Sequence, residues 1–214
     1  MTQSEVKQVL AQMSGIHLLM ARILYGGGLR LMECIRLRVK DLDFEKKLLY
    51  IRGAKGGKDR TTLFPEGLHD ELKIQLQKVK RIHDDDLSAG YGEVYLPPAL
   101  ARKYPSAGKE FRWQYVFPAH KISRDPRTGV SRRHHVVESG LQKAVKTAAN
   151  RAGLHKRVTS HIFRHSFATH LLEHGTNIRV VQELVGHADV KTTEIYIHVM
   201  DKNIASVQSP LDHL

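Results

Sequence analysis

The chain has 214 residues, 41% of them hydrophobic, enough for one large domain with a true core and not the profile of a disordered protein. Lysine and arginine number 34 against 22 acidic residues, a formal charge of +12 with a pI near 9.9, which favours a polyanionic partner, nucleic acid before others. No apolar stretch is long enough for a membrane span, the N-terminus has no secretion-signal pattern, and the single cysteine, Cys34, excludes an internal disulfide and fits a reducing cytoplasm.

In chain order, apolar residues at helical spacing (Val6, Val9, Leu10 and Met13, then Ile16, Leu19, Met20, Ile23 and Leu24) predict two helices over 3–25. The glycines at 26–28 stop the second, and LRLMECIRL starts a third with Leu31, Ile35 and Leu37 inward. LLYIRG and RTTLFP read as strands joined by a hairpin tip, AKGGKD. EGLHDELKIQLQKVKRIHDDDL reads as an amphipathic helix ending in an acidic, solvated tail.

Residues 88–135 have a different character. Pro97, Pro98, Pro105, Pro118 and Pro126 interrupt them, and they hold the one tryptophan. We read a short helix, an aromatic strand WQYVFP and a long ordered loop. From Arg102 to His135 the only acids are Glu110 and Asp125, so this is the basic part of the surface. Three helices follow: VVESGLQKAVKTAANRAG; VTSHIFRHSFATHLLEHG, capped by Ser160 and stopped by Gly175; and TNIRVVQELVG, capped by Thr176 or Asn177 and stopped by Gly186. Asp189 can cap a further expected helix carrying Tyr196.

Several familiar chemistries do not fit. GAKGGKD has too few residues between its glycines for a phosphate-binding loop, and Asp59 stands where Ser or Thr would hold magnesium. His161 with His165, or His170 with His174, has the spacing of zinc ligands on a helix, but Arg164 lies between the first pair and opposes a metal ion. What remains is cationic. A metal-free reaction at a phosphodiester needs donors for two non-bridging oxygens, a proton source for the leaving oxygen, and a nucleophile. Arginine matches phosphate bidentately, so Arg30 after the glycines and Arg164, on one helix face with His161, suit the first role. Lys55 at the hairpin tip suits the second and Tyr196 the third. Singly, each has a bland reading, and an isolated tyrosine between Ile195 and Ile197 is more often core.

Together the strings GLRLMECIRLRVKDLDF, GAKGGKDR, SHIFRHSFATHLLEHG and VVQELVGHADVKTTEIYIHV resemble, in order, the catalytic domain of tyrosine recombinases. The family's Arg … Lys … His-x-x-Arg … His … Tyr pattern is matched at Arg30, Lys55, His161, Arg164, His187 and Tyr196, with Glu33 as the supporting acid. LPPALARKYPSAGKEFRWQYVFP and RDPRTGVSRRHH are similar to the insertion of integron integrases.

The resemblance implies an α+β fold, mostly helical with a small antiparallel sheet. One catalytic domain would span 1–214, with the insertion at about 88–135, a C-terminal arm at about 201–214, and the family's N-terminal core-binding domain absent. It implies a cytoplasmic bacterial enzyme that cleaves and rejoins DNA through a 3′-phosphotyrosine, with neither metal nor ATP and no cofactor. Arg30 and Arg164 would stabilise the transition state, Lys55 (with Lys58 as second candidate) would protonate the leaving oxygen, and His161 would assist proton transfer from Tyr196. His187 would bond the phosphate, and Glu33 would orient His161 or the backbone around it. The partner would be DNA as folded single-stranded hairpin sites, or duplex sites, with self-association to a tetramer. Trp113, Pro126, His134 and His135 would contact unpaired bases, and Arg132 and Arg133 the backbone. The rival readings are a DNA-binding fragment without strand transfer, a recombinase of duplex sites only, and a metal-dependent phosphoesterase.

Overall fold

Helix α1 (Gln3–Ala11) begins with a reciprocal cap, in which the Thr2 hydroxyl accepts the Glu5 N–H at 3.2 Å and the Glu5 carboxylate accepts the Thr2 N–H at 2.8 Å. The structure is a computed structural model that describes residues 1–53, 59–126 and 128–186. Helix α2 (Gly15–Gly27) runs through the centre and buries Leu19, Met20, Ile23 and Leu24. It ends at Gly28 with φ +63°, where an added Cβ would lie 2.3 Å from the Phe167 ring. Both the left-handed turn and the close approach therefore need glycine. That turn leads directly into Arg30 and the short helix α3 (Leu31–Ile35).

The main core joins α1, α2 and α3 to α6 (Glu138–Arg151) and the start of α7 (Ser160–Glu173), through Val6, Leu24, Ile35, Leu141 and Phe163. Each fully buried side chain of this size contributes roughly 1.5–3 kcal/mol. The rest of α7 packs on α8 (Ile178–Val185) through Phe167, Leu172, Val181 and Val185.

A three-stranded antiparallel sheet holds β1 (Leu42–Asp43), β2 (Leu48–Ile51) and β3 (Arg60–Leu63) in that order. The register pairs Leu48 with Leu63 and Ile51 with Arg60. Leu49 and Ile51 face the core, and buried Thr62 donates to the Gly27 carbonyl at 2.7 Å, fixing the sheet against the end of α2. The expected hairpin is present, but its tip, 54–58 with Lys55 and Lys58, lies outside the described residues. So do Arg127 and 187–214, with His187, Asp189, Tyr196 and the expected arm.

Helix α4 (His69–Ser88) leads into the segment 88–135, which has its own small core of Val94, Leu96, Ala107, Trp113 and Tyr115. Helix α5 (Pro98–Lys103) lies within it, and a hairpin of β4 (Pro118–Arg124) and β5 (Ser131–His135) closes it. Arg38 ties this unit to the main domain by donating to the carbonyls of Trp113 at 2.6 Å and Tyr95 at 2.8 Å.

The mostly helical α+β expectation holds, with two small sheets among the described residues rather than one. The boundaries within 88–135 differ from the sequence reading. WQYVFP is not a strand: Trp113 ends a 3-10 turn, Tyr115 makes only an isolated bridge to Arg38, and pairing begins at Pro118. Trp113, Tyr115, Val116 and Phe117 are all buried, so the segment crosses packed interior and has no solvent face to alternate with. The supposed loop RRHH is strand β5. Thr159, not Ser160, stands at the N-cap position of α7, without a side-chain capping bond, since Ser160 is already helical and buried. The acidic end of α4 is not wholly solvated, because Asp86 is buried beneath Arg133.

Candidate active site

Glu33 occupies the centre of a four-charge cluster. It is the third residue of α3, and its Oε2 accepts the Arg30 backbone N–H at 2.8 Å, which caps the helix. Its Oε1 accepts from Arg30 Nη1 at 2.8 Å and from Arg60 Nη1 at 2.8 Å, while Arg60 Nη2 reaches Oε2 at 2.7 Å. Arg164 Nη1 lies 3.9 Å from Oε2. Burial raises the Glu33 pKa, but the Arg60 bonds, the Arg30 backbone N–H and the charges of Arg60 and Arg30 outweigh it and bring it down to about 2.

The same three arginines converge on the end of α8. Arg60 Nε donates to the Leu184 carbonyl at 3.0 Å, Arg164 Nη2 to the Val185 carbonyl, and Arg30 Nη2 to the Gly186 carbonyl at 3.2 Å. Three successive carbonyls at a helix C-terminus thus each receive a guanidinium, where the helix dipole favours cations. Gly186 has φ +61° and an added Cβ would lie 2.7 Å from Arg60 Cδ, so the chain must be bare there. Three arginines against one carboxylate leave the cluster with two excess positive charges, a site for an anion.

Access differs among the three. Arg30 has 26% of its side chain exposed, against 9% for Arg60 and 3% for Arg164. Arg164 also donates to the Gly28 carbonyl at 2.6 Å, across the turn that places Arg30. His161 reaches solvent one turn before Arg164, and partial burial followed by the charges of Arg164 and Arg30 lowers its pKa below 6.5. The ring is therefore neutral at neutral pH and able to accept a proton. Its partner in the zinc-like spacing, His165, stands edge-on to it with ring centroids 4.6 Å apart. His170 has both ring nitrogens engaged, with Tyr25 at 2.9 Å and the Met1 carbonyl at 3.0 Å.

The structure thus brings Arg30, Glu33, His161 and Arg164 together. Glu33 serves the arginines and the Arg30 backbone, and no bond from it to His161 is present among the described residues. Arg60 was missed by the sequence reading. It follows directly after the hairpin string AKGGKD and pairs with Ile51 at the strand mouth, but nothing local in the sequence marks it as a partner of Glu33.

A cavity of about 680 Å³ opens beside Arg30 and runs to the insertion, with Arg36, Tyr50, Pro126, His134 and His135 on its walls. Pro126 is exposed and His134 and His135 are half-buried, with the His135 ring edge-on to Tyr115 at 5.2 Å. Trp113 reaches the same cavity but is only 7% exposed, and the Lys40 ammonium sits 3.1 Å from its ring centroid. It is a core residue with one face covered, not an open stacking platform. Arg132 and Arg133, expected on a DNA backbone, are instead paired within the protein. Arg132 binds Glu93 at 2.7 Å, and Arg133 grips both oxygens of Asp86 at 2.6 and 2.7 Å. Arg133 is taken from the surface by packing on α4, and Arg132 by pairing within the insertion itself. A second groove, about 760 Å³ between the start of α2, α4 and β4, contains none of the catalytic candidates.

The sequence signature of the phage integrase family matches residues 1–203. The chain belongs to the phage integrase family. Among its relatives are proteins of Escherichia coli and Pseudomonas aeruginosa named integrase/recombinase, each 47% identical over 214 residues, covering 100% of this chain and 64% of theirs. The tyrosine recombinase XerA of Pyrococcus furiosus is 35% identical over 207 residues, covering 95% of this chain and 58% of its own. The chain thus spans less than two thirds of the length of these relatives. Two crystal structures share the fold of this phage integrase family member. XerA recombinase has a TM-score of 0.65 at 24% identity, covering 96% of this chain and 64% of that one. XerH recombinase bound to its difH substrate has a TM-score of 0.61 at 23% identity, covering 98% and 52%. Among the described residues no helix is long and apolar enough to cross a membrane.

Proposed function

We propose that this chain is the catalytic domain of a site-specific DNA recombinase that cuts and rejoins strands through a 3′-phosphotyrosine. The observation that carries the reading is the convergence of Arg30 and Arg164 on Glu33 and the end of α8, with a neutral His161 beside them. In the proposed reaction the Tyr196 oxygen attacks the scissile phosphorus and the bond from phosphorus to the 5′ oxygen breaks. His161 takes the tyrosine proton, whose ordinary pKa of about 10 makes the unaided hydroxyl a poor nucleophile. Lys55 gives a proton to the departing 5′ oxygen, and Arg30 and Arg164 with His187 meet the charge growing on the non-bridging oxygens. The phosphodiester's energy is retained in the phosphotyrosine, so rejoining needs no ATP.

Within this class we read the substrate as a folded single-stranded cassette site of the integron type. The cavity beside Arg30, walled by Tyr50, Pro126, His134 and His135, supports that reading, since it is large enough for an unpaired base and lined by flat rings. Tetramer assembly on DNA belongs to the same proposal.

The test mixes the protein with a labelled, nicked hairpin site in excess chelator, beside a Tyr196→Phe variant. A denaturant-resistant protein–DNA band from the unmodified chain alone is the expected result. A gel shift without that band would replace the reading with that of a DNA-binding fragment, and inhibition by chelator would replace it with a metal-dependent phosphoesterase. Lack of any hairpin preference over duplex in the unmodified chain would remove the integron-type reading, and a preference that survives His134→Ala would remove His134 from it.

A further inference from the structure

Arg60 is absent from every role assigned above, yet its side chain is bonded into the cluster through all three guanidinium nitrogens. Its guanidinium uses both Nη atoms on Glu33 at 2.8 and 2.7 Å and its Nε on the Leu184 carbonyl at 3.0 Å. At 9% side-chain exposure and bonded along both edges, it does not face the cavity that Arg30 and Glu33 line. We propose that Arg60 is a positioning residue, which locks strand β3, helix α3 and the end of α8 into the one arrangement that aims Arg30 and Arg164. This rests on the recombinase reading for its catalytic consequence, but not for the geometry.

The connectivity explains why such a lock is needed. Glu33 Oε1 is shared by Arg30 and Arg60, so the Arg60 fork fixes the rotation of the carboxylate that Arg30 leans on. The Leu184 bond then sets how far the end of α8 stands from that carboxylate, and the neighbouring carbonyls of Val185 and Gly186 are those that orient Arg164 and Arg30. In sequence, Arg60 lies five residues after Lys55, and Gly186 immediately precedes His187. One buried side chain thus ties together β3, α3 and the end of α8, near which Lys55, Arg30 and His187 lie in sequence, while Arg164 on α7 meets the same end of α8 through the Val185 carbonyl. Lysine has the charge but not the fork, so it holds one carboxylate oxygen and leaves the rotation open. Catalytic groups displaced by about 1 Å lose up to roughly a hundredfold in rate.

The experiment compares Arg60→Met, Arg60→Lys, Glu33→Gln and the Arg60→Met/Glu33→Gln double variant in the full chain. Three readouts are taken: the Glu33 carboxyl resonance through a pH titration, equilibrium affinity for the hairpin site, and the single-turnover rate of covalent complex formation. Thermal unfolding of each variant selects a temperature at which all are folded. The expected result for Arg60→Met is a Glu33 titration moved upward, a rate reduced roughly ten- to a hundredfold, and affinity within about twofold of the parent. Arg60→Lys should recover part of the rate, and the double variant should be no slower than the slower single one. An unmoved Glu33 titration, or single-variant effects that multiply in the double, would overturn the proposal. A purely structural role would lower rate and affinity together. Should the parent form no covalent complex while the Glu33 titration still follows Arg60, the recombinase reading falls and the lock stands.

Discussion

Arg133 and Asp86 form a two-pronged ion pair at 2.6 and 2.7 Å that fastens strand β5 to helix α4. Arg133 Nη1 also donates to the carbonyls of Ala119 at 2.9 Å and His120 at 2.8 Å, so one side chain clips both strands of the hairpin. The pair has 17% and 9% side-chain exposure, so its charges are held mostly out of water. Arg133→Met leaves Asp86 buried without its cation and should cost about 3 kcal/mol. Hydrogen exchange should then quicken across β4 and β5 while α2 and α7 keep their protection. A variant that lost only salt-sensitive DNA affinity, with no change in exchange, would contradict this assignment.

Acid should loosen the arginine cluster. The Glu33 carboxyl titrates at about 2 when folded against an ordinary 4.5. A lowered carboxylate pKa stabilises the fold fully above 4.5, and that contribution is lost as pH falls from 4.5 toward about 2. The amount is on the order of 3 kcal/mol. Denaturant titrations at decreasing pH should show this loss in the parent chain and a flatter profile in Glu33→Gln, which is already less stable at neutral pH.

His161 should report the charge of the arginines beside it. Partial burial, then Arg164 and Arg30, hold its pKa below 6.5. Imidazole resonances should therefore titrate below that value, and Arg30→Met should move the midpoint upward, since one repelling cation is gone. Because the neutral ring is the proposed proton acceptor, covalent complex formation should fall only once the pH is below 6.5. A rate that declined above that value would point to a different base.

Trp113, the single tryptophan, gives a direct probe of Lys40, whose ammonium stands 3.1 Å from the ring centroid. Burial first, then the charge of Arg52, lowers the Lys40 pKa to about 8, while the ring face itself favours the charged form. Trp113 fluorescence should change as the pH rises through about 8 and the cation is lost. Lys40→Met should abolish that transition without changing the fold, as seen in the far-ultraviolet circular dichroism.

Periodicity and punctuation made most of the helical framework legible in the chain. The 3.6-residue spacing of Val6 to Leu24, the glycines at 26–28 and the Gly186 stop each reflect interactions within one turn of backbone, which a linear string contains. His161 and Arg164 were readable as a pair because one helix carries both, and Arg30 was joined to them by the resemblance to tyrosine recombinases. What the tertiary structure alone decided depends on partners far away in sequence. Arg60 meets Glu33 across 27 positions and Leu184 across 124, and Arg133 meets Asp86 across 47. Nothing local distinguishes those arginines from solvated ones such as Arg36. Trp113 lost its open face and WQYVFP its strand for the same reason: burial on all sides is set by what packs around a segment, and alternation within the segment cannot reveal it.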